Sequence, residues 1–296
     1  MNIHDYIIAG IRLRSTANIV EMGVRGFKPF EVDYDANIEA DCTFDLRPTM
    51  QLDDYAVEKH LADFTAIETG AHCELIRTTE GYLYTIARPN SAEEPILFHI
   101  NRATHGIISN IECRTMPDIA QLRFALWVMF GVVLSTKQAI AIHSSTIECG
   151  GRCILFLGES GTGKSTHTRL WRENIKGARL LNDDSPIIRI IDGKALVFGS
   201  PWSGKTPCYK NLAYPIAGFC RLSQAPHNVI RRLTTIAAIG ALLPSCPPAF
   251  AHDDELQDVI CNTLGEMLRR VPAYHLECLP NAEAAQLSHK TILGDE

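Results

Sequence analysis

Hydrophobic and polar positions change rhythm partway along the chain. In the first third, short apolar runs are separated by turn-prone residues. Tyr6–Leu13, Gly81–Arg88 and Pro95–Ile100 read as strands, with Arg88-Pro89-Asn90-Ser91 as a loop between the last two. Tyr82, Tyr84 and Ile86 fall at every second position, as on a half-buried strand. A helical spacing follows. Leu122, Ala125, Leu126, Met129 and Val133 lie on one face of a helix over Asp118–Leu134, with Pro117 just before it. Strands and helices then alternate. Ala139–Glu148 and Arg152–Leu157 read as strands joined at Gly150-Gly151, and Lys164–Asn174 as a helix. Arg179–Asn182, Pro186–Ile191 and Ala195–Phe198 read as strands, the last two turning at Asp192-Gly193. Thr235–Leu243 and Asp253–Arg270 read as helices, followed by a strand near Tyr274–Cys278 and a short C-terminal helix. The pattern predicts an α/β protein: a smaller β-rich domain over 1–115, suited to partner or substrate recognition, and a second domain over 116–296.

Composition narrows the class. The chain has 296 residues, 46% hydrophobic and 21% charged, enough apolar material for a sizeable core. The net charge of −6, with no cluster of Lys and Arg, argues against nucleic-acid binding, which needs concentrated positive charge. Ten scattered cysteines without a CxxC pair fit reduced, buried thiols in a cytoplasmic protein better than a zinc site. Met1–Arg14 lacks a signal-peptide core, and the apolar run Phe124–Leu134 is too short to span a bilayer, so no membrane partner is expected.

One motif carries specific chemistry. The apolar run Ile154–Leu157 leads into Gly158-Glu159-Ser160-Gly161-Thr162-Gly163-Lys164-Ser165, a G-x-x-x-x-G-K-[ST] phosphate loop between strand and helix, with Thr166 next. Glycines let several backbone N–H groups converge on one concave point, and the helix start adds its positive end. Lys164 would neutralise the β- and γ-phosphates of ATP, and the Ser165 hydroxyl would ligate Mg²⁺. A chance match in a chain this long is on the order of one percent.

Phosphoryl transfer also needs an acidic site. Leu180-Leu181-Asn182-Asp183-Asp184 supplies one at the end of an apolar strand, one helix and one strand after the loop. One carboxylate could hold Mg²⁺ and the other accept a proton from an attacking hydroxyl; alone, the same residues would read as a turn. His143, on the strand before the loop strand, is either a core histidine or a neighbour of this site. Gly199-Ser200-Pro201-Trp202-Ser203-Gly204-Lys205-Thr206 fits the phosphate-loop pattern formally, but Pro201 and Trp202 occupy its cradle. Ser200, Trp202, Ser203 and Lys205 are instead candidates for a substrate loop, or for a structural turn with Trp202 packed beneath it.

His143, the strand Ile154–Leu157, the loop Gly158–Ser165 and Asp183-Asp184 occur in an order that resembles the HPr kinase/phosphorylase family over roughly His143–Leu222. The resemblance implies a P-loop kinase core of the type shared with phosphoenolpyruvate carboxykinases, preceded by a separate domain. It implies phosphorylation of a serine hydroxyl with ATP and Mg²⁺, Asp183 as the base, Asp184 with Ser165 at the metal, and His143 supporting the aspartate. Gly199–Lys205 lacks the Glu-Arg pair that the family carries in a later loop, so the chain resembles a divergent member whose acceptor is a protein, peptide or small-molecule hydroxyl. The relatives assemble through their kinase cores, which makes a homo-oligomer an expectation too. A carboxykinase-like enzyme and a nucleotide-sensing module without turnover are the competing readings.

Overall fold

The computed structural model describes residues 3–66, 69–89, 93–204 and 206–294. The protein is mixed α/β, with two mixed sheets and a minor share of helix. Its contacts fall into two units. One runs to Val133 and takes back Ala249–Asp254; the other holds Leu134–Pro248 and the chain from Glu255. This division falls near the end of the first long helix, whereas the hydrophobic pattern placed it before that helix.

In the first unit, β1 (His4–Ile8), β2 (Ile11–Ser15), β3 (Glu31–Val32), β4 (Cys42–Leu46), β5 (Val57–Thr65), β6 (His72–Thr78), β7 (Gly81–Ala87), β8 (Ile96–Asn101) and β9 (Gly106–Ser109) form one sheet, in the order β3-β1-β2-β4-β9-β8-β7-β6-β5. The run Tyr6–Leu13 is thus a hairpin and not one strand. Ala9 and Gly10 turn it with φ of 52° and 74°. Asn90 and Ser91 of the expected loop lie outside the described residues. The helix α1 (Met116–Ser135) extends further than the apolar run suggested. It is long and apolar enough to cross a membrane by length and composition, and 72% of its most apolar window is buried.

The second unit carries the phosphate-loop motif. Its strands are β10 (Ala139–Ala141), β11 (Ser144–Cys149), β12 (Arg152–Leu157), β13 (Arg179–Asp184), β14 (Ile187–Ile191), β15 (Lys194–Phe198), β16 (Ala213–Gln224), β17 (Val229–Arg232) and β18 (Ala273–Cys278). Their order is β10-β14-β15-β16-β12-β11-β13, with β18 beside β16 and β17 beside β18. The helices are α2 (Lys164–Asn174), α3 (Thr235–Leu242), α4 (Asp254–Leu268) and α5 (Ala282–Leu293).

Two features differ from the sequence pattern. Ala139–Glu148 is broken at Ile142-His143, and its halves pair with different strands: β10 with β14, β11 with β12 and β13. His143 therefore sits in the break. The long strand β16 was not foreseen, because Pro215 and Gly218 interrupt its apolar run. Pro215 stands where β16 changes neighbours, pairing with β15 through Ala213–Pro215 and with β12, in parallel, from Ile216 to Arg221. The missing N–H of proline falls at that handover.

Beneath α2, the buried side chains Phe156, Trp171, Leu180, Leu222, Leu276 and Ala285 form one apolar cluster. His167, on the same helix face, is buried beside it, and burial pushes its pKa down to about 4. The Trp171 indole nitrogen lies 2.9 Å from Ser288 Oγ and 3.2 Å from His167 Nε2, tying α2 to α5. The unfolded imidazole takes a proton near its ordinary 6.5, and the folded one only near 4. The stability from keeping it neutral is therefore present above about pH 6.5 and is lost as the pH falls towards 4. We expect the unfolding free energy from urea titration to drop by about 1–2 kcal/mol between about pH 7 and pH 5 through this group. In His167→Gln the drop should shrink by that amount; an equal drop in both proteins would contradict the assignment. All ten cysteines are free, seven of them buried, as expected for reduced thiols.

Candidate phosphate-binding and acidic site

β12 delivers the chain into the loop and α2 receives it. The turn between them needs glycine at two ends. Gly163 caps α2 in the left-handed region, with φ of 102°. Gly158 has φ of 147°, and a Cβ there would lie 2.6 Å from Thr162 Oγ1. Thr162 locks the intervening turn by donating its hydroxyl to the Glu159 carbonyl at 2.8 Å. His167 N–H closes on Gly163 O at 2.8 Å, so the N–H groups before it stay outside the helix ladder at the open end.

Lys164 is folded over its own loop, donating to Gly158 O at 2.8 Å and Glu159 O at 3.1 Å. Burial lowers its pKa, and the Arg221 charge adds to that; the carboxylates of Asp184 and Asp183 pull the other way, Asp184 more strongly. The lysine thus stands within the field of both aspartates.

β13 runs through both aspartates instead of stopping at Asn182. Successive strand residues face opposite sides, so the two carboxylates have different neighbours. Asp183 is 7% exposed, and its Oδ1 accepts hydrogen bonds from Ser145 Oγ at 2.7 Å and Ser165 Oγ at 3.1 Å. Ser145 lies opposite it on β11. Asp184 is partly open to solvent and meets His143 Nδ1 at 3.2 Å. Ser165 and His143 are both drawn to the acidic pair, but the partners are exchanged relative to the roles that the resemblance implied. Ser165 meets Asp183, not Asp184; His143 meets Asp184, not Asp183.

The segment Gly199–Gly204 holds this strand end in place. Asn182 is fully buried. Its side chain donates to Trp202 O at 3.0 Å and accepts from Ser185 N–H at 2.9 Å. Ser200 Oγ donates to Ser185 O at 2.6 Å, and Ser203 Oγ to Thr206 O at 2.7 Å. Gly204 N–H binds Asp183 O at 2.7 Å, where a Cβ on Gly204 would come equally close to that oxygen. Ser200, Trp202 and Ser203 are buried (0%, 4% and 2% exposed), which favours the structural turn with Trp202 packed beneath it over the substrate loop. Lys205 lies outside the described residues. Asn182→Ala would remove its hydrogen bonds with Ser200 Oγ, Trp202 O and Ser185 N–H. We expect it to cost about 2–4 kcal/mol of stability, read from the urea midpoint; a loss below about 0.5 kcal/mol would remove Asn182 from this role.

Ser145, Arg221 and Gln224 had been given no role near the site, and Asn182 had been read only as part of the acidic strand end or of a turn. Arg221, opposite Leu157 on β16, donates to Ala241 O at 3.1 Å and lies 3.6 Å from the exposed Glu159 carboxylate. Gln224 Nε2 donates to Gly161 O at 3.2 Å. Both belong to the strand that the sequence pattern concealed. Arg169 is turned to Glu173 at 2.9 Å on the outer face of α2. In the other unit, ligand atoms of Asp63, His72 and Glu74 lie within 4.8 Å of one another, on β5 and β6. Compared with known protein families and with curated proteins, the chain matches none.

Proposed function

We propose that the protein is an ATP- and Mg²⁺-dependent kinase that transfers the γ-phosphate to a hydroxyl of a protein, peptide or small molecule. The observation that carries the reading is the Ser165–Asp183 hydrogen bond at 3.1 Å, which brings the phosphate loop and the acidic strand end to one point. Ser165 Oγ and Asp183 Oδ1 are adjacent oxygens, the donor type that a hard divalent cation takes. Such a cation would neutralise charge on the phosphates. Lys164 leaves its two carbonyls and binds the β- and γ-oxygens. Asp184, the more open carboxylate, accepts the proton of the acceptor hydroxyl as its oxygen attacks the γ-phosphorus. The bond to the β-phosphate oxygen breaks, and ADP takes up that electron pair. His143, 3.2 Å from Asp184, orients the base. We therefore exchange the roles of the two aspartates relative to those that the family resemblance implied.

The test is transfer of label from γ-labelled ATP, with Mg²⁺, to free serine, to small polyols and to cell extract as separate acceptors. Label in one acceptor and none with Lys164→Ala supports a kinase. Tight ATP binding with no transfer to any acceptor would favour the nucleotide-sensing reading.

A further inference from the structure

The first unit carries its own group of metal-ligating side chains. β5 ends the sheet and pairs antiparallel with β6. The register sets Asp63 directly opposite Glu74, and Thr65 opposite His72. Opposite residues share a face of a sheet, as do residues two apart on a strand, so Asp63, Glu74 and His72 lie on one face. Cys73 and Leu75, on the other face, are buried. His60, three residues from Asp63, would fall on that other face in a regular strand. A bulge prevents this. His60 pairs with Ile76 and Ala62 with Leu75, which leaves Leu61 as the extra residue. His60 is thereby turned to the face of Asp63 and Glu74.

The contacts agree with this register. His72 Nδ1 lies 3.5 Å from Asp63 Oδ1, and His60 Nδ1 lies 3.7 Å from Glu74 Oε1. Ligand atoms of Asp63, His72 and Glu74 all lie within 4.8 Å of one another. Two carboxylates set opposite each other on a sheet repel. An imidazole offsets that charge only when it is protonated. A divalent cation offsets it whenever bound, and takes the neutral imidazole as a further ligand. The donor set also selects the cation. Mg²⁺ and Ca²⁺ take oxygen ligands, the donor type of Ser165 and Asp183, whereas two imidazole nitrogens with two carboxylates suit Zn²⁺. Zinc holds such donors at about 2.0–2.2 Å in a tetrahedron. His60, Asp63 and His72 are exposed and Glu74 is half-buried, so side-chain rotation can draw the donors inward.

We propose that His60, Asp63, His72 and Glu74 form a zinc site that clips the edge strand β5 to β6, independently of the nucleotide reading. Calorimetric titration of the untagged full chain with Zn²⁺ tests it, with excess Mg²⁺ present to occupy all-oxygen sites. Zinc should bind with a Kd of about 100 µM or tighter. His72→Ala and Glu74→Gln should each weaken it by at least about tenfold, and His60→Ala should weaken it as well. Co²⁺ in place of Zn²⁺ should give the visible absorption of a four-coordinate site, lost in His72→Ala. Without metal, the variants should unfold at the wild-type midpoint, because these side chains are largely open to solvent. Added zinc should raise that midpoint in the wild type and leave it unmoved in His72→Ala. Zinc affinity unchanged in His72→Ala, or wild-type binding weaker than about 100 µM, overturns the site.

Discussion

Lys164→Ala is expected to weaken ATP binding by about 30- to 700-fold, corresponding to about 2–4 kcal/mol for removing the cation from a desolvated phosphate contact. The fold should survive. In the chain as it stands, Lys164 contributes only two hydrogen bonds to the carbonyls of Gly158 and Glu159. The turn keeps its glycine conformations and the Thr162 lock without them. Calorimetric titration, with the far-ultraviolet spectrum as a check of folding, reads both effects. The neighbouring Arg221 could recover part of the loss, since it lies at the same end of the sheet; Lys164→Ala/Arg221→Ala should then be weaker still. Affinity within about twofold of wild type in Lys164→Ala would mean that the loop does not hold phosphate in the proposed way.

The two aspartates should separate binding from transfer. With Asp184 as base, Asp184→Asn keeps Mg²⁺–ATP affinity within a few-fold, while the transfer rate falls by about 10²–10⁴. Asp183→Asn acts earlier. It replaces an oxygen beside Ser165 with an amide and disturbs the hydrogen bonds from Ser145 and Ser165, so the Mg²⁺-dependent gain in ATP affinity should largely vanish. Titration with and without Mg²⁺, together with single-turnover transfer of the label, distinguishes the two. The opposite pattern, with Asp183→Asn binding normally and failing to transfer, would restore the roles implied by the family resemblance.

How far the sequence led is visible at particular residues. The strand–loop–helix unit was legible because an unbroken apolar run meets a glycine pattern with a fixed chemical purpose. α2 begins at Lys164 and ends at Asn174, the bounds read from the sequence. The hairpin at Asp192-Gly193 was legible for the same local reason, with Asp192 at φ of 49° and Gly193 at 73°. Which aspartate meets Ser165 was not legible. It depends on a strand alternation and on the β11–β13 register, where one residue of slip exchanges the two carboxylates. For Ser200, Trp202 and Ser203 the sequence left a substrate loop and a buried turn equally open, because the partners that decide between them, Asn182 and Ser185, are separated from them in sequence by a hairpin. β16 was missed for a physical reason: it carries a proline where it changes neighbours and a glycine further on where Ile292 packs close, and these are also the marks of a loop.

The parallel pairing of β12 with β16 bears on the order in which the molecule can be made. Phosphate-loop residues leave the ribosome well before Ile216–Arg221, the stretch that must lie beside β12. Ala273–Cys278, which pairs with β16 in turn, arrives later still. Local turns can close as soon as they are synthesised, but a parallel pairing across a long connection waits for its second strand and bears the entropy of closing the interval. A nascent chain halted before β16 would display the whole glycine-lysine-serine motif and yet lack the strand that supports it from one side. On the proposed reading, nucleotide capture waits for the synthesis of a strand that lies about fifty residues after the motif.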